Sequence, residues 1–207
     1  MRALFSRARS TIAWLGEATD GSDLVFRLVS AKQRCGRYNI EETRRALTEI
    51  LNRPYWARVW VIQEFILPSH LNIWWGGHRV RADDFREVVW TMTTPCSHDK
   101  LLYPSIWETP GQILLHYREY WKQCATSIGD SFYRFDEMFS LQPLLGSFSA
   151  SQCSLTHDKV YALLGIATDI NDSAYPILPD YDKPLWALFL DVLQNQRSEE
   201  RDETGKA

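Results

Sequence analysis

The sequence lacks the features of several specialised classes of protein. It has only four cysteines among 207 residues, at positions 35, 96, 124 and 153, and none of them forms a C-x-x-C pair. The longest apolar run, Val59 to Leu67, is interrupted by Gln63 and Glu64 and is far shorter than the roughly 20 residues of a membrane span. The formal charge is −3, which provides no basic field for nucleic acid or an anionic membrane. We therefore expect an intracellular protein with reduced thiols, no metal site, and neither nucleic acid nor membrane as a partner.

Motifs for nucleotide and metal chemistry are missing as well. The sequence contains no G-x-G-x-x-G, no G-x-x-x-x-G-K-[ST] and no H-E-x-x-H pattern. Gly76-Gly77 lies between two strand-like segments, which is typical of a hairpin turn and is sufficient to explain both glycines. No cofactor is expected from these patterns.

The composition is that of an ordinary globular protein with a large core. Apolar residues make up 45% and charged residues 24% of the chain, and there are nine Trp, nine Tyr and nine Phe. The last ten residues, SEERDETGKA, contain no large apolar side chain. We predict one domain over residues 1–197 and a disordered charged tail over residues 198–207.

The amino-terminal residues MRALFSRARS allow two interpretations. Three arginines without any acidic residue suit a mitochondrial transit peptide. The alternative is a short amphipathic helix with Leu4, Phe5 and Ala8 on its inner side. We favour the helix and a cytoplasmic location, because the pattern continues without a linker into the apolar segment Thr11–Gly16.

Local patterns predict a mostly helical α/β fold. Thr11–Gly16 is typical of a strand buried on both faces of a parallel sheet, and Gly76-Gly77 predicts a small β-hairpin. A strand of this kind needs neighbours on both edges, and no second run of the same character is present, so the parallel sheet is expected to be incomplete. Helical spacing predicts helices over residues of about 20–33, 41–51, 54–67, 83–92, 113–124, 136–145, 156–164 and 183–196. A polar loop is predicted over residues 95–104.

The segment PYWARVWVIQEFIL, residues 54–67, contains the strongest candidates for a functional site. Read as one continuous helix, it has Arg58, Gln63 and Glu64 spread evenly around it, with apolar residues between them. A helix that is apolar all round is buried, so the two ions need partners from other elements. These buried groups either have a purely structural role or form a binding or catalytic site with a desolvated carboxylate. Their position in the sequence does not decide between the two.

Three blocks resemble the fungal heterokaryon incompatibility (HET) domain. Residues 53–64, RPYWARVWVIQE, are similar to its R-x-W-x-x-Q-E block, and Gly76 follows as in the family. Residues 1–16, ending in Trp14-Leu15-Gly16, resemble its helix and strand ending in W-L-G. The last block, DKVYALLG followed by PDY, supplies further motif residues. The residues assigned to the structural motif are Trp14, Gly16, Asp158, Tyr161, Gly165, Asp180 and Tyr181.

The sequence also departs from the family pattern. Family members begin with a Y-x-x-L-S-Y-x-W-G strand and a D-x-x-C-I-N-Q strand, and neither is present here. The resemblance thus implies a domain truncated at its amino terminus, with the missing strands as the neighbours of Thr11–Gly16. His157 stands where the family has arginine, so an anion contact there would depend on pH.

The resemblance implies a role in fungal nonself recognition, in which protein partners trigger cell death after incompatible hyphae fuse. The family fold is distantly similar to Toll/interleukin-receptor domains, some of which hydrolyse NAD. On that analogy Glu64 is the candidate catalytic carboxylate, and Arg58, Trp60 and Gln63 are the candidate binding residues. NAD is implied only under this alternative. A third alternative is a truncated gene product without independent activity.

Overall fold

The computed structural model describes residues 2–31, 39–93, 106, 108–126, 137–170 and 176–204. The strands are β1 (Thr11–Trp14), β2 (Leu71–Trp75) and β3 (His78–Arg81). The helices are α1 (Arg2–Arg7), α2 (Asp20–Ala31), α3 (Ile40–Leu51), α4 (Pro54–Ala57), α5 (Val61–Ile66), α6 (Ala82–Thr93), α7 (Pro110–Thr126), α8 (Leu141–Ser147), α9 (Asp158–Tyr161) and α10 (Leu185–Thr204). The predicted class, a mostly helical α/β fold with a small open sheet, is confirmed. Cys35, Cys96 and the predicted loop at 95–104 lie outside the described residues.

The sheet has the order β1-β2-β3 and mixes both pairing directions. β1 runs parallel to β2, with Thr11 opposite Leu71, and β2 runs antiparallel to β3 through the predicted hairpin. The parallel sheet was predicted to be incomplete, and within the described residues β1 has one parallel partner, the first hairpin strand, which the sequence pattern did not mark as such. Helices α2 to α5 form the crossover between these two strands, and a parallel pair needs such a connection.

The two faces of the sheet differ in burial. Ala13, Ile73 and Val80 lie on the inner face and are buried against the helices, of which α2, α5 and α6 contact the strands. On the outer face Ile12 and Trp14 remain 49% and 46% exposed. The prediction that this first strand is buried on both faces was therefore wrong. A short apolar run does not reveal whether one face or two are covered.

The helices enclose one continuous apolar core. Trp56 occupies its centre, where its indole N–H donates to Ile50 O at 2.7 Å and its ring meets Phe65 edge-on at a centroid distance of 5.0 Å. At the amino terminus the predicted amphipathic helix is present as α1. Phe5 packs against the core as expected, whereas Leu4 is exposed, because this helix has less than two turns with which to turn a face inward.

Four predicted helices differ in extent from the observed elements. The predicted helix over residues 54–67 is divided into α4 and α5, and the one over 136–145 is interrupted at Ser140, the residue before α8. The one over 156–164 is reduced to α9 followed by turns, whereas α10 continues past residue 197 to Thr204. In the described ranges no helix has the length and apolarity that a bilayer crossing requires. Cys124 and Cys153 are partly buried, and neither is part of a disulfide within the described residues.

Candidate functional site

Arg58 interrupts the helix predicted for residues 54–67. Its backbone is extended, with φ −78° and ψ 130°, and forms an isolated parallel bridge with Gln152. Val59 N–H donates to Gln152 O at 2.9 Å, and Gln152 N–H donates to Ala57 O at 2.5 Å. The prediction of one continuous helix was wrong, because a segment that is apolar on every side has no period that distinguishes a helix from a strand-like contact.

The break at Arg58 changes the positions of the three polar residues of this segment, Arg58, Gln63 and Glu64. Gln63 is 2% exposed, as predicted. Arg58 is exposed and Glu64 is half-buried on α5, so the prediction of burial was wrong for Arg58 and only partly correct for Glu64. Neither side chain forms an ion pair or a hydrogen bond with the described residues, contrary to the expectation of distant partners. Both groups retain contact with water and do not need a counterion from the fold.

Tyr55 is the site residue that the sequence did not identify. Its hydroxyl is buried without a hydrogen-bond partner in the described part of the chain. Burial raises the pKa of the Tyr55 phenol, the negative charge of Glu64 raises it further, and the positive charge of Arg58 lowers it. The phenol thus lies within electrostatic reach of both ions. A tyrosine within an apolar run carries no pattern that marks such a position.

Tyr55, Arg58, Trp60 and Glu64 are the residues that we call the charged cluster. Trp60 immediately precedes α5 and is partly buried against the core, so part of its ring remains accessible. The cluster combines a carboxylate, a guanidinium, an unsatisfied phenol and an aromatic ring on one short segment. The carboxylate and the guanidinium can form charge-assisted hydrogen bonds with a polar partner, and the Trp60 ring offers apolar contact area beside them, while the Tyr55 hydroxyl lies buried beneath.

The side chain of Gln63 points away from the charged cluster and connects two of the sequence blocks. Its Nε2 donates to Ala162 O at 2.8 Å, at the end of α9. The same side chain fills the space beside Gly165, where an added Cβ would lie 2.5 Å from Gln63 Oε1. The amide therefore holds α5 against the D-K-V-Y-A-L-L-G block, and its role is structural.

The W-L-G block is held by residues of the 53–64 block and of the hairpin turn. The guanidinium of Arg53 is buried, and Nη1 donates to Leu15 O at 3.3 Å. Gly16 O accepts the N–H of Gly76 at 2.8 Å. Trp14 itself lies on the exposed sheet face. The three blocks are thus brought into direct contact although they are far apart in sequence.

Two tyrosines connect the last block with the P-D-Y stretch. Tyr181 donates its hydroxyl proton to Asp158 Oδ1 at 2.8 Å, and Tyr161 donates to Asp180 O at 2.7 Å. The two rings meet edge-on with centroids 5.3 Å apart. The hydrogen bond to Asp158, followed by desolvation and the nearby negative charge, raises the pKa of Tyr181 to about 12. These motif residues therefore stabilise the fold around α9.

His157, the residue found in place of the family arginine, also forms a hydrogen bond within the fold. Its Nε2 lies 2.7 Å from Lys183 O, so this nitrogen carries the proton and donates to the carbonyl. The contact connects the residues just before α10 with the residue just before α9. The predicted anion contact therefore cannot use this nitrogen without breaking the attachment.

A cavity of about 360 Å³ lies in a different part of the fold. It is lined by Gln112, Ile113, His116, Tyr117, Met138 and Ser147. None of the residues assigned from the sequence takes part in it. The charged cluster is separate from this cavity.

The described part of the chain is a mostly helical α/β domain in which Arg58 and Glu64 have no ion-pair partner. Residues 1–64 match the model of the family described as Heterokaryon incompatibility protein (HET). The match contains the W-L-G block and ends at Glu64, so it includes Arg58, Trp60 and Gln63. It confirms the family resemblance over this segment and supports a function related to heterokaryon incompatibility. Searches of curated proteins and of solved structures returned no significant match to the chain.

Proposed function

We propose that this protein is a fungal nonself-recognition domain that acts in the cytoplasm and triggers cell death through contacts with other proteins. The observation that carries the proposal is the charged cluster, located in the segment that matches the HET family. Among the residues that the structure describes, its carboxylate and guanidinium have no ion-pair partner, and ions of this kind form pairs with a partner at an interface.

The partial burial of Glu64 suits such an interface. A half-buried carboxylate has already lost part of its hydration, so binding an arginine or lysine of a partner costs less further desolvation. Trp60 adds aromatic area, which is enriched in the centres of protein interfaces. Arg58 supplies the opposite charge on the same segment and favours a partner that presents both an acid and a base.

The test is inducible expression of the full chain in hyphae of a filamentous fungus, with death measured by uptake of a membrane-impermeant dye. We expect death with the unmodified chain and a strong reduction with Glu64→Gln or Arg58→Gln. Glu87→Gln on α6 and Arg45→Gln on α3 are matched controls, since both residues are exposed and lie outside the cluster. Protein levels are compared by immunoblot.

Two outcomes would contradict the proposal in different ways. No death with the unmodified chain, at protein levels equal to those of a known inducer, would reject the signalling function. Death that is unchanged by both cluster variants would reject the cluster as the site while leaving the function.

A second candidate function is hydrolysis of NAD, favoured by the same available carboxylate. Glu64 would stabilise the ribosyl cation as the bond to nicotinamide breaks, and water would then add to the sugar. Arg58 would hold a phosphate of the substrate and Trp60 would contact a ring. Purified protein is incubated with NAD, and nicotinamide is measured by chromatography. No release, or release that survives Glu64→Ala, would exclude this activity.

A further inference from the structure

The cavity of about 360 Å³ beside α7 and α8 has a neutral lining. Among the described residues that line it, none is an aspartate, glutamate, lysine or arginine. Desolvation lowers the pKa of His116 below its ordinary value, so its imidazole is neutral at pH 7. A charged molecule would lose hydration here without gaining an ionic partner. The lining therefore favours a neutral ligand.

The amide of Gln112 is the polar group of the cavity that the fold leaves unsatisfied. Gln112 is 4% exposed, and its Oε1 is buried without a hydrogen-bond partner in the described part of the chain. A buried amide oxygen that lacks a donor costs free energy, and most such groups in native proteins are hydrogen-bonded. Because this side chain forms part of the cavity wall, a molecule in the cavity can supply the missing partner.

The backbone that carries this amide is held firmly. The N–H of Gln112 donates to Thr109 Oγ1 at 3.3 Å, and Thr109 Oγ1 donates to Ile106 O at 2.7 Å. At the neighbouring Gly111 an added Cβ would lie 2.9 Å from Leu51 O, so the start of α7 packs directly on the end of α3. A site on such a backbone loses little conformational entropy when a ligand binds.

A second part of the wall is fixed by a contact between α7 and α8. The hydroxyl of Tyr117 donates to Ser147 Oγ at 2.8 Å, and its ring lies 4.9 Å from that of Phe148. Tyr117 is buried, whereas His116 and Ser147 are exposed, so the cavity opens to solvent on their side. An apolar cavity of about 150 Å³ already holds benzene, so the larger volume here has room for a flat ring with a polar group.

We propose that this cavity binds a small neutral molecule with a flat ring and an amide group. The ligand amide pairs with the amide of Gln112, while its ring contacts Ile113, Tyr117 and Met138. An amide suits this position because it is both a donor and an acceptor. Rotation of the Gln112 amide exchanges its oxygen and nitrogen, and either orientation has a complementary group on such a ligand. The site is separate from the charged cluster and does not depend on the proposed function.

Three bicyclic probes test the class of ligand by isothermal titration calorimetry of the full chain. Carbostyril is a neutral lactam, N-methylcarbostyril lacks its N–H donor, and naphthoate is an anion of similar size. We expect carbostyril to bind about tenfold more tightly than the N-methyl compound, which is the effect of one hydrogen bond. Naphthoate should bind no better than the N-methyl compound, because no cation faces it among the described lining residues.

Gln112→Leu identifies the hydrogen-bonding group. This variant should weaken carbostyril binding by about tenfold and leave the affinity for N-methylcarbostyril unchanged. Gln123→Leu is the matched control on the same helix, since Gln123 is exposed and does not line the cavity, and it should bind both neutral probes as the unmodified chain does. Ile113→Trp places a larger side chain in the wall and should abolish binding of both.

Thermal melting without any probe separates a binding role from a structural one. Removing an unpartnered buried amide should leave the melting temperature of Gln112→Leu unchanged or raise it. A marked fall would show that the fold itself satisfies this amide and would overturn the proposal. Absence of carbostyril binding, equal affinity for carbostyril and naphthoate, or carbostyril binding that survives Gln112→Leu would overturn it as well.

Discussion

The side chain of Gln63 occupies the space in which Gly165 would carry a Cβ. An added Cβ would lie 2.5 Å from Gln63 Oε1 and 2.7 Å from Nε2, closer than such atoms approach in proteins. Gln63 cannot move aside without cost, because it is buried and its Nε2 donates to Ala162 O. The Q-E block and the D-K-V-Y-A-L-L-G block therefore fit each other by shape as well as by hydrogen bonding.

Gly165→Ala should lower the free energy of unfolding by about 1–3 kcal/mol, the usual cost of overpacking a buried site. Urea denaturation measures the change. The matched control is Gly146→Ala in α8, where a new Cβ meets nothing within 4 Å and should be neutral or stabilise by about 0.5–1 kcal/mol. Adding Gln63→Ala to the Gly165 variant should recover part of the loss by removing the clash. Equal effects at both glycines would contradict this assignment.

Arg118 should be the most sensitive cation of the described fold. It is buried on α7, and its Nη1 lies 2.7 Å from Phe65 O and 2.8 Å from Pro68 O, where it satisfies carbonyls at the end of α5. Arg118→Met should cost about 3 kcal/mol in denaturant unfolding, because these carbonyls lose a charged donor. Arg86→Met, which removes a surface contact with Glu119, should cost less than about 1 kcal/mol. A smaller effect at Arg118 than at Arg86 would show that the buried contacts are not formed.

Gly76 should tolerate a side chain much less well than its neighbour. It has φ +49°, and a Cβ there would lie 2.6 Å from Ala18 Cβ and 2.9 Å from Ala18 N. Gly76→Ala should cost about 2–4 kcal/mol through backbone strain and the clash together. Gly77→Ala meets nothing within 4 Å and should cost less than about 1 kcal/mol. Thermal melting of the two variants side by side tests the difference, and a similar loss in both would argue against the turn geometry.

Tyr181 should contribute to stability in a pH-dependent way. Its pKa is about 12 in the folded chain, against about 10 for a free tyrosine. The neutral phenol is favoured by folding, so this contribution is complete below about pH 10 and is lost as the pH rises to about 12. Tyr181→Phe should therefore show a shallower fall in melting temperature between pH 10 and pH 12 than the unmodified chain. An identical pH profile for both proteins would mean that the hydrogen bond to Asp158 is not formed in solution.

The elements predicted correctly from the sequence are those with local signals. Gly76-Gly77 marks the hairpin because a two-residue turn requires glycine, and the helices α3 and α6 follow clear apolar spacing. Asn39 precedes α3 and caps it, with Oδ1 accepting from the N–H groups of Glu41 and Glu42. Such signals act within a few residues and can be read without knowledge of the rest of the fold.

The features missed depend on contacts between distant residues. The break at Arg58 comes from its bridge to Gln152, and the partner of β1 comes after four helices. Arg118 binds backbone carbonyls, which leave no trace in the side-chain pattern. The buried Tyr55 hydroxyl interacts with the charges of Arg58 and Glu64, and no residue pattern in the sequence marks that position. Three of the four residues of the charged cluster were thus identified from the sequence, while their arrangement was not.

The division at Arg58 has a consequence for how the site is made. Helices α4 and α5 each have fewer than two turns, and helices of that length do not persist alone in water. Their geometry depends on Gln152 and on the core around Trp56, so a synthetic peptide spanning residues 53–67 would be a random coil without the arrangement of the intact chain. Ligands, antibodies or inhibitors that recognise this surface must therefore be selected against the folded protein.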